Sequence, residues 1–595
     1  MCQAKHPRCF CRRSKNGRKP GSLPEDEYGP ILFAAFESNP TMPTISAVVS
    51  HALLTCTSEI FGVMGNGNAH FLDAAVRTDF RFTAVRHESS AVTAADAYYR
   101  ITGKPAIATT TYGAGFTNAV TPLAEAAAAQ IPMILVTGDQ PTSGARPWDV
   151  DQSAINAAVG AKTFVIDTRT PKATTFAAVA HALRERMPVV ISLPYDIVAD
   201  EAPEEAALTL EDFATMPDYP QASPALLTQA AAALNAAKRP LILYGRGARL
   251  SKAATAITAL ADKLGALSSS SVLATGLLGS RNGDLGITGG FSSAETAALI
   301  HEADTVLVLG AKLNQFTMRF GDLFNTAAQI IQVDVTATPT NPRVDAFISA
   351  DATAVATELE TMVTRREGAA SWLEQVTDRL LKINEHETGD AQAPDGRLDP
   401  RSVAATLNEI MPKRRLVVQD GGHFIGWGPM YWDIPGPRAL NLVGTAYQSI
   451  GMGIASAVGA GAAAQADETV ILAAGDGGFL MGLADLESVI RSVASGIIVI
   501  YNDAGYGAEI HQYGSIGLHE EPMLIPEVDF AAVARGLGAQ STKVRSLEDL
   551  DQLRAWVAQG AKGVFLVDCR ISSHVRAPYM EEVLEANRKA ALARR

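Results

Sequence analysis

The chain has 595 residues, 47% of them hydrophobic and 19% charged, and a net charge of −13. That composition can bury large cores, excludes a disordered or fibrous protein, and at roughly 100–200 residues per domain gives about three to five domains. The acidic balance argues against a nucleic-acid partner, and five cysteines are too few for a disulfide scaffold and suit a reducing, cytoplasmic location.

Residues 1–42 read as a basic tail, expected to be disordered. The first 20 hold seven Lys or Arg and no acid, and they lack the apolar core of a secretory signal. His6, Cys9 and Cys11 do not have the spacing of a zinc site. From Thr44 the pattern alternates. Ile45–Leu54 is helix-like, Ile60–Val63 strand-like, Ser89–Arg100 helical, Ala106–Thr110 a strand, Ala119–Ala129 helical and Met133–Thr137 a strand. The apolar run Val189–Leu193 closes a first domain at 43–205. A polar, proline-rich linker from Ala202 to Pro224 follows. A central domain at 222–368 has its clearest strands at Leu241–Tyr244, Thr305–Leu309 and Ile330–Val333. A third domain, 397–575, carries strands at Leu416–Gln419, Thr469–Ala473, Ile497–Tyr501 and Val564–Val567, and 576–595 read as a terminal helix or tail. Strands alternating with helices predict an α/β fold of three domains with mainly parallel sheets. No apolar run approaches the roughly 18–20 residues of a membrane span, so no membrane association is expected.

The sharpest local signal is Val470–Gly507. A strand runs into Gly475-Asp476-Gly477, a helix with apolar positions Leu483, Leu486, Ile490 and Val493 follows, and a second strand ends at Asn502-Asp503. Both turns then lie at the carboxyl ends of parallel strands, where open α/β sheets bind ligands. Gly477 and Gly478 let the backbone approach a diphosphate, and the helix start offers free N–H donors. Asp476 and Asp503, one at each turn, could converge on one hard cation, and oxygen ligands of this kind suit Mg²⁺.

Gly475-Asp476-Gly477…Asn502-Asp503 resembles the thiamin-diphosphate motif, GDG followed by two Asn. Arg86-His87-Glu88 resembles the RHE segment that carries the thiamin-activating glutamate, and Gly113-Ala114-Gly115-Phe116-Thr117-Asn118 resembles the GPGATN turn. The resemblance covers roughly residues 43–575. It is to the group containing acetohydroxyacid (acetolactate) synthase, benzoylformate decarboxylase and pyruvate decarboxylase, whose pyrimidine-binding, central and diphosphate-binding domains come in that order. It implies thiamin diphosphate and Mg²⁺ as cofactors. Glu88 is then the residue on the aminopyrimidine nitrogen, and Asp476, Asp503 and the Gly505 carbonyl are the metal ligands. Gly113, Ile450, Gly451, Met452, Gly475, Gly477, Gly478, Asn502 and Tyr506 line the cofactor, with Ile450 as the apolar residue that bends it.

Several positions depart from the group. Asp503 replaces the usual Asn; it is an equally good oxygen ligand with an added charge. Glu509 stands where pyruvate decarboxylases carry a catalytic glutamate, but Thr109-Thr110-Thr111-Tyr112 lacks their paired histidines. Gln152 is the one residue retained from a Phe-Gln-Glu segment near the cofactor. Asn66, Asn68, His70 and His511 are candidate substrate contacts, and His423 is a further polar candidate. In the central domain the Arg-Phe-Asp-Asp turn that meets FAD in acetohydroxyacid synthases is replaced by Lys312-Leu313-Asn314-Gln315, so the balance is against FAD.

The resemblance implies an enzyme that acts on a small 2-oxo acid, by decarboxylation and then carboligation as in acetolactate synthesis. Simple decarboxylation to an aldehyde and cleavage of a 2-hydroxyacyl or oxalyl thioester stay open beside it. A non-catalytic relative is disfavoured by retention of Glu88, Asp476 and Asp503. In this group the active site lies between two subunits, so a homodimer or tetramer is expected.

Overall fold

The computed structural model describes residues 42–213 and 219–593; the basic N-terminal segment and its Cys9-x-Cys11 pair fall outside that range. Three six-stranded sheets follow one another along the chain, and every strand pair in them is parallel. The first contains β1 (Glu59–Gly62), β2 (Arg81–Ala84), β3 (Ile107–Thr110), β4 (Ile134–Asp139), β5 (Lys162–Val165) and β6 (Val189–Pro194), in the order β2-β1-β3-β4-β6-β5. The second contains β7 (Pro240–Tyr244), β8 (Leu267–Ser270), β9 (Asp284–Ile287), β10 (Thr305–Leu309), β11 (Gln329–Asp334) and β12 (Ala346–Ser349), in the order β12-β11-β10-β7-β8-β9. The third contains β13 (Arg415–Gln419), β14 (Leu440–Leu442), β15 (Thr469–Gly475), β16 (Ser495–Asn502), β17 (Gln540–Val544) and β18 (Gly563–Arg570), in the order β14-β13-β15-β16-β18-β17. The first and third sheets thus have one topology, and the central sheet has the doubly wound order of dinucleotide-binding folds.

The interior strands are the apolar runs of the sequence, as parallel strands covered on both faces require; β6, β7, β10, β11, β13, β15, β16 and β18 contain the segments that the pattern marks, and β1, β3 and β4 overlap theirs. The strands that carry no such mark lie at the edges, β8 excepted, which runs between β7 and β9. β2 and β5 are partly exposed, β14 has three residues, and β8 reads Leu-Ser-Ser-Ser. The hydroxyls of β8 are satisfied across the sheet edge, where Ser268 Oγ donates to Asp284 and Ser269 Oγ to the Gly286 carbonyl. The predicted helix after Gly477 is broken into Asp476–Met481, a 3-10 turn at Leu483–Asp485 and Leu486–Ser492. Gly482 marks the break, where a Cβ would meet the Gly451 carbonyl at 2.8 Å.

One apolar core joins the first and third sheets. At its centre the helices Glu88–Thr102 and Gly453–Ala463 pack together; they are the equivalent elements of the two sheets, each following the second strand. A Cβ on Gly459 would lie 2.1 Å from the Ala94 carbonyl oxygen, so the two backbones touch. Ala97 shares a small cluster with Met452 and Val443. Residue 94 meeting 459 while 97 meets 452 makes the helices antiparallel. Polar ties reinforce the contact. The Arg86 N–H donates to Asp485 Oδ1 at 2.7 Å. Arg100 pairs with Asp96 and Glu125 and donates to the Leu442 carbonyl, while Glu125 accepts the Tyr447 N–H at 2.6 Å. Arg246 and Arg249 of the central domain donate to the carbonyls of Ala129 and Arg100, each at the carboxyl end of a first-domain helix, where a cation meets the helix dipole favourably.

The last helix, Pro578–Ala593, docks on the central domain. Tyr579 packs against Phe291 and Phe316, and its hydroxyl donates to the His423 carbonyl at 2.7 Å. Among the described residues no helix is long and apolar enough to cross a membrane.

The helix–helix contact tolerates no side chain at Gly459. Gly459→Val is expected to cost about 1–3 kcal/mol or more through overpacking, measured as a lowered urea midpoint; an unchanged midpoint contradicts the close backbone approach.

Candidate active site

In the third sheet, β13 leads outward to β14 and β15 lies on its other side, so the carboxyl ends of β13 and β15 flank the point where strand order reverses. Ligands bind at such a point in open α/β sheets. The turns there are rich in glycine because the segments touch. A Cβ on Gly477 would meet the Tyr506 ring at 2.6 Å, one on Gly478 would meet Asp420 Oδ2 at 2.7 Å, and one on Gly475 would meet Phe424 at 3.0 Å. Asp476 is the first residue of its short helix and is buried.

Asp503 follows β16. Ala504 next to it has φ +62°, and the loop is strapped to a passing segment. The Tyr506 N–H donates to the Met523 carbonyl at 2.8 Å and the Ile525 N–H to the Ala504 carbonyl at 2.9 Å. Gly505 stands opposite Leu524, in a pairing whose hydrogen bonds fall on its neighbours and leave its own N–H and carbonyl turned the other way. The Asp476 and Asp503 carboxyls are both held above the ordinary carboxylate range. Desolvation is the main cause for each; the negative charge of Asp476 raises Asp503 further, while amides of Gly477, Gly505 and Ala504 pull Asp476 back. Among the described residues no three His, Cys, Asp or Glu side chains gather to hold a metal by themselves. Two carboxylates and a free backbone carbonyl nevertheless form a hard-oxygen donor set, which Mg²⁺ fits when a bound oxyanion and water complete the shell.

Ile450 stands beside these turns with 37% of its surface exposed. Gly421 faces it, and Gly451 next to it has φ +86°. Met452 turns away and packs on Ala97. Asn502 turns away as well: its Nδ2 donates to Asp568 Oδ1 at 2.9 Å, which ties β16 to β18. Asp420 is a further buried carboxylate at this edge that the sequence reading does not single out. It accepts the N–H groups of Gly421 at 2.8 Å and Gly451 at 2.9 Å. Burial pushes it up to about 6 against these amides. Its signal in the sequence is an Asp between an apolar run and two glycines, the same strand-to-turn pattern as at Asp476.

Glu509 is exposed in the first turn of the Gly507–Gln512 helix, whereas His511 in the same helix is buried against His423, ring centroids 4.4 Å apart. Burial holds both imidazoles neutral, His423 near 3 and His511 near 4. His423 Nε2 accepts the Ala577 N–H at 2.9 Å, and His511 Nε2 has no partner.

The other candidates gather at the carboxyl edge of the first sheet. Glu88 opens the Glu88–Thr102 helix, half-buried; its Oε2 accepts from Asn118 Nδ2 at 2.9 Å, and its Oε1 lies over Gly115. Gly113 has φ +60°. Its N–H donates to Gln152 Oε1 at 2.9 Å, and Gln152 Nε2 donates to the Gly138 carbonyl at 3.0 Å. Both ends of the Gln152 amide are thus spent on backbone, which makes it a brace for the turn. Asn68 is likewise committed, buried and bonded to Gly65, Val63 and Thr109. Asn66 is exposed and donates to the Tyr112 hydroxyl at 2.9 Å; the Arg146 guanidinium lies 4.1 Å over that ring. His70 is exposed.

The candidates therefore form two groups in one chain. Ala97, not Glu88, meets Met452, and Glu88 lies nine residues from Ala97 along their helix, about 14 Å at 1.5 Å per residue.

A parallel-sheet edge with glycine turns and paired carboxylates, beside a second edge that offers a glutamate, defines an enzyme that holds a diphosphate-bearing cofactor. Comparison with known proteins gives the class. Residues 44–159 match the N-terminal TPP binding domain of thiamine pyrophosphate enzymes, 227–359 their central domain, and 420–569 their C-terminal TPP binding domain. The chain belongs to the thiamine pyrophosphate enzyme family, in its carboligase and decarboxylase group. It is 25% identical to sulfoacetaldehyde acetyltransferase of Alcaligenes xylosoxydans xylosoxydans, over 86% of this chain and 89% of that protein. It is 25% identical to the acetolactate synthase isozyme 1 large subunit of Escherichia coli strain K12, over 82% and 87%. It is 27% identical to human 2-hydroxyacyl-CoA lyase 2, over 83% and 84%. The solved structure of benzoylformate decarboxylase from Polynucleobacter necessarius shares the fold, with TM-score 0.76 at 21% identity over 90% of this chain and 100% of that one.

The raised carboxyls have a measurable consequence. Their folded-state values lie above the unfolded ones, so their contribution to stability is present at low pH and is lost as pH rises through the raised values. In EDTA the wild-type protein is expected to melt lower at about pH 8 than at about pH 5 on this account. Asp503→Asn removes one of the two like charges and is expected to gain about 1–2 kcal/mol at the higher pH. A variant no more stable than wild type there contradicts the repulsion.

Proposed function

We propose that the protein is a Mg²⁺- and thiamin-diphosphate-dependent enzyme that cleaves a 2-oxo acid and joins the retained carbons to a second carbonyl compound, as acetolactate synthase does. The observation that carries this reading is the convergence of Asp476, Asp503 and Gly505 beside an exposed Ile450, together with a Glu88 whose Oε1 is left open. When bound, thiamin diphosphate supplies a nucleophilic carbon and an electron sink.

The chain's own residues divide the remaining work. Asp476, Asp503 and the Gly505 carbonyl would hold Mg²⁺, and the Gly475–Gly478 turn, whose glycines leave room for it, would receive the diphosphate. Tyr506, packed on Gly477, closes that turn from outside. Ile450 would support the ring portion of the cofactor. Glu88 Oε1 shares a proton with the pyrimidine nitrogen, while Asn118 on Oε2 fixes the carboxyl's orientation. Gln152 holds Gly113 and with it the Gly113–Asn118 turn.

The separation of Glu88 from its own chain's Met452 favours a site completed by a second copy, Glu88 of one chain serving Asp476 of the other. Exposed apolar side chains at both ligand edges agree with this: Met64 and Trp148 on the first, Tyr447 and Met481 on the third. The functional unit is then at least a homodimer.

A second reading, simple decarboxylation to an aldehyde, has one observation in its favour. Glu509 is exposed in the first turn of the helix after the Asp503–Tyr506 loop, where a carboxyl would serve as the acid that protonates the product carbon. Relatives named as a decarboxylase and as a lyase keep both outcomes within the group.

Proton NMR of the protein with pyruvate, thiamin diphosphate and Mg²⁺ tests the reading. Cofactor-dependent acetolactate is the expected product; acetaldehyde alone transfers the assignment to decarboxylation and to Glu509. Glu88→Gln is expected to keep the fold and lose about 10²–10⁴-fold in turnover. Equal activity of variant and wild type overturns the cofactor assignment.

A further inference from the structure

Asp420 has no part in the catalytic scheme above, yet it is among the most completely buried charged groups in the chain, 1% exposed. It stands at the carboxyl end of β13, and three segments of the site meet on it. Its Oδ1 accepts the N–H of Gly421, its own strand's turn, at 2.8 Å. Both of its oxygens accept the N–H of Gly451, at 2.9 and 3.0 Å, and Gly451 directly follows Ile450. Its Oδ2 lies where a Cβ on Gly478 would come within 2.7 Å, and its Cβ where one on Gly453 would come within 2.8 Å. A carboxylate that bonds backbone amides and nothing else acts as a fixed acceptor for a turn. The turn it holds is constrained on its other side too: Gly451 has φ +86°, and a Cβ there would meet Met481 at 2.8 Å.

We propose that Asp420 is a positioning residue that fixes the height of Ile450 above the Gly475–Gly478 turn, and so sets how tightly the site grips the ring portion of thiamin diphosphate as distinct from its diphosphate. The inference rests on the cofactor reading above. Asp476, Asp503 and Gly505, which hold the metal and diphosphate, take no bond from Asp420; Ile450 depends on it through the adjacent amide. Asn at this position keeps the shape and one acceptor oxygen, but it removes the charge and turns an N–H₂ group toward N–H donors, so the Gly451 anchor is weakened without opening a cavity.

The test compares two ligands on the same proteins by calorimetry: thiamin diphosphate with Mg²⁺, and inorganic pyrophosphate with Mg²⁺. Asp420→Asn is expected to weaken thiamin diphosphate at least about tenfold and to leave pyrophosphate within about twofold. Ile450→Ala, which leaves the anchor intact and removes the side chain it places, is expected to reproduce that split. Should Asp420→Asn not fold, Asp420→Ser carries the same comparison. Equal weakening of both ligands makes Asp420 a general support of the sheet edge and overturns the proposal, as does weakening of neither. Failure of the wild-type protein to bind thiamin diphosphate at all is a different result, and it overturns the cofactor reading instead.

Discussion

The contact between the Glu88–Thr102 and Gly453–Ala463 helices governs the rest of the molecule. Gly459 lets the backbones touch at Ala94, and the shared core of the first and third sheets is built around that crossing. Because the helices run antiparallel, the end that starts with Glu88 and the end that starts beside Met452 point in opposite directions. Within one chain the glutamate edge and the diphosphate edge are therefore held apart by the packing that stabilises them. The proposed two-chain site answers this arrangement: a second copy with its sheet edges facing the first would bring each glutamate to the other chain's carboxylates.

Three buried carboxylates stand at the third sheet's edge, and their different surroundings separate their roles. Asp420 is surrounded by backbone N–H donors and is satisfied as an anion by the chain itself. Burial raises the proton affinity of both Asp476 and Asp503, and the charge of Asp476 raises that of Asp503 further. Burying a charge is costly unless it is paired, and in the chain alone that cost appears as the raised proton affinity of the pair. Three buried or half-buried arginines away from this edge serve the packing of the domains. Arg100 is bound by Asp96 and Glu125, and Arg246 and Arg249 close helix ends across the domain boundary. They hold the central domain against the first.

The sequence made the fold class and the diphosphate edge legible because both rest on strong local patterns. Apolar runs of four to eight residues mark interior strands, and Gly-Asp-Gly at the end of one marks a turn that only glycine permits. Edge strands such as β2 and β5 left no mark, since a half-exposed strand needs no apolar run, and β8 left none because its buried serines are satisfied by Asp284 and Gly286. Site residues were harder to assign wherever the side chain's direction decides the role. Asn502, Asn68 and Gln152 occupy motif positions but spend their amides on Asp568, on Val63 and Thr109, and on the backbones of Gly113 and Gly138. Met452 belongs to the helix contact. Asp420 went unnoticed because its importance comes from a turn thirty-one residues away, a distance that no local pattern spans.

The measurement that bears most directly on this account is subunit complementation. Glu88→Gln and Asp476→Ala chains, each inactive alone, are co-expressed with different tags and assayed as a mixture. If each site takes Glu88 from one chain and Asp476 from the other, every mixed dimer holds one site with both defects and one with neither, and random pairing restores about a quarter of wild-type activity. If Glu88 serves the carboxylates of its own chain, every site in every dimer carries a defect. The mixture then stays inactive, and the two-chain site is contradicted.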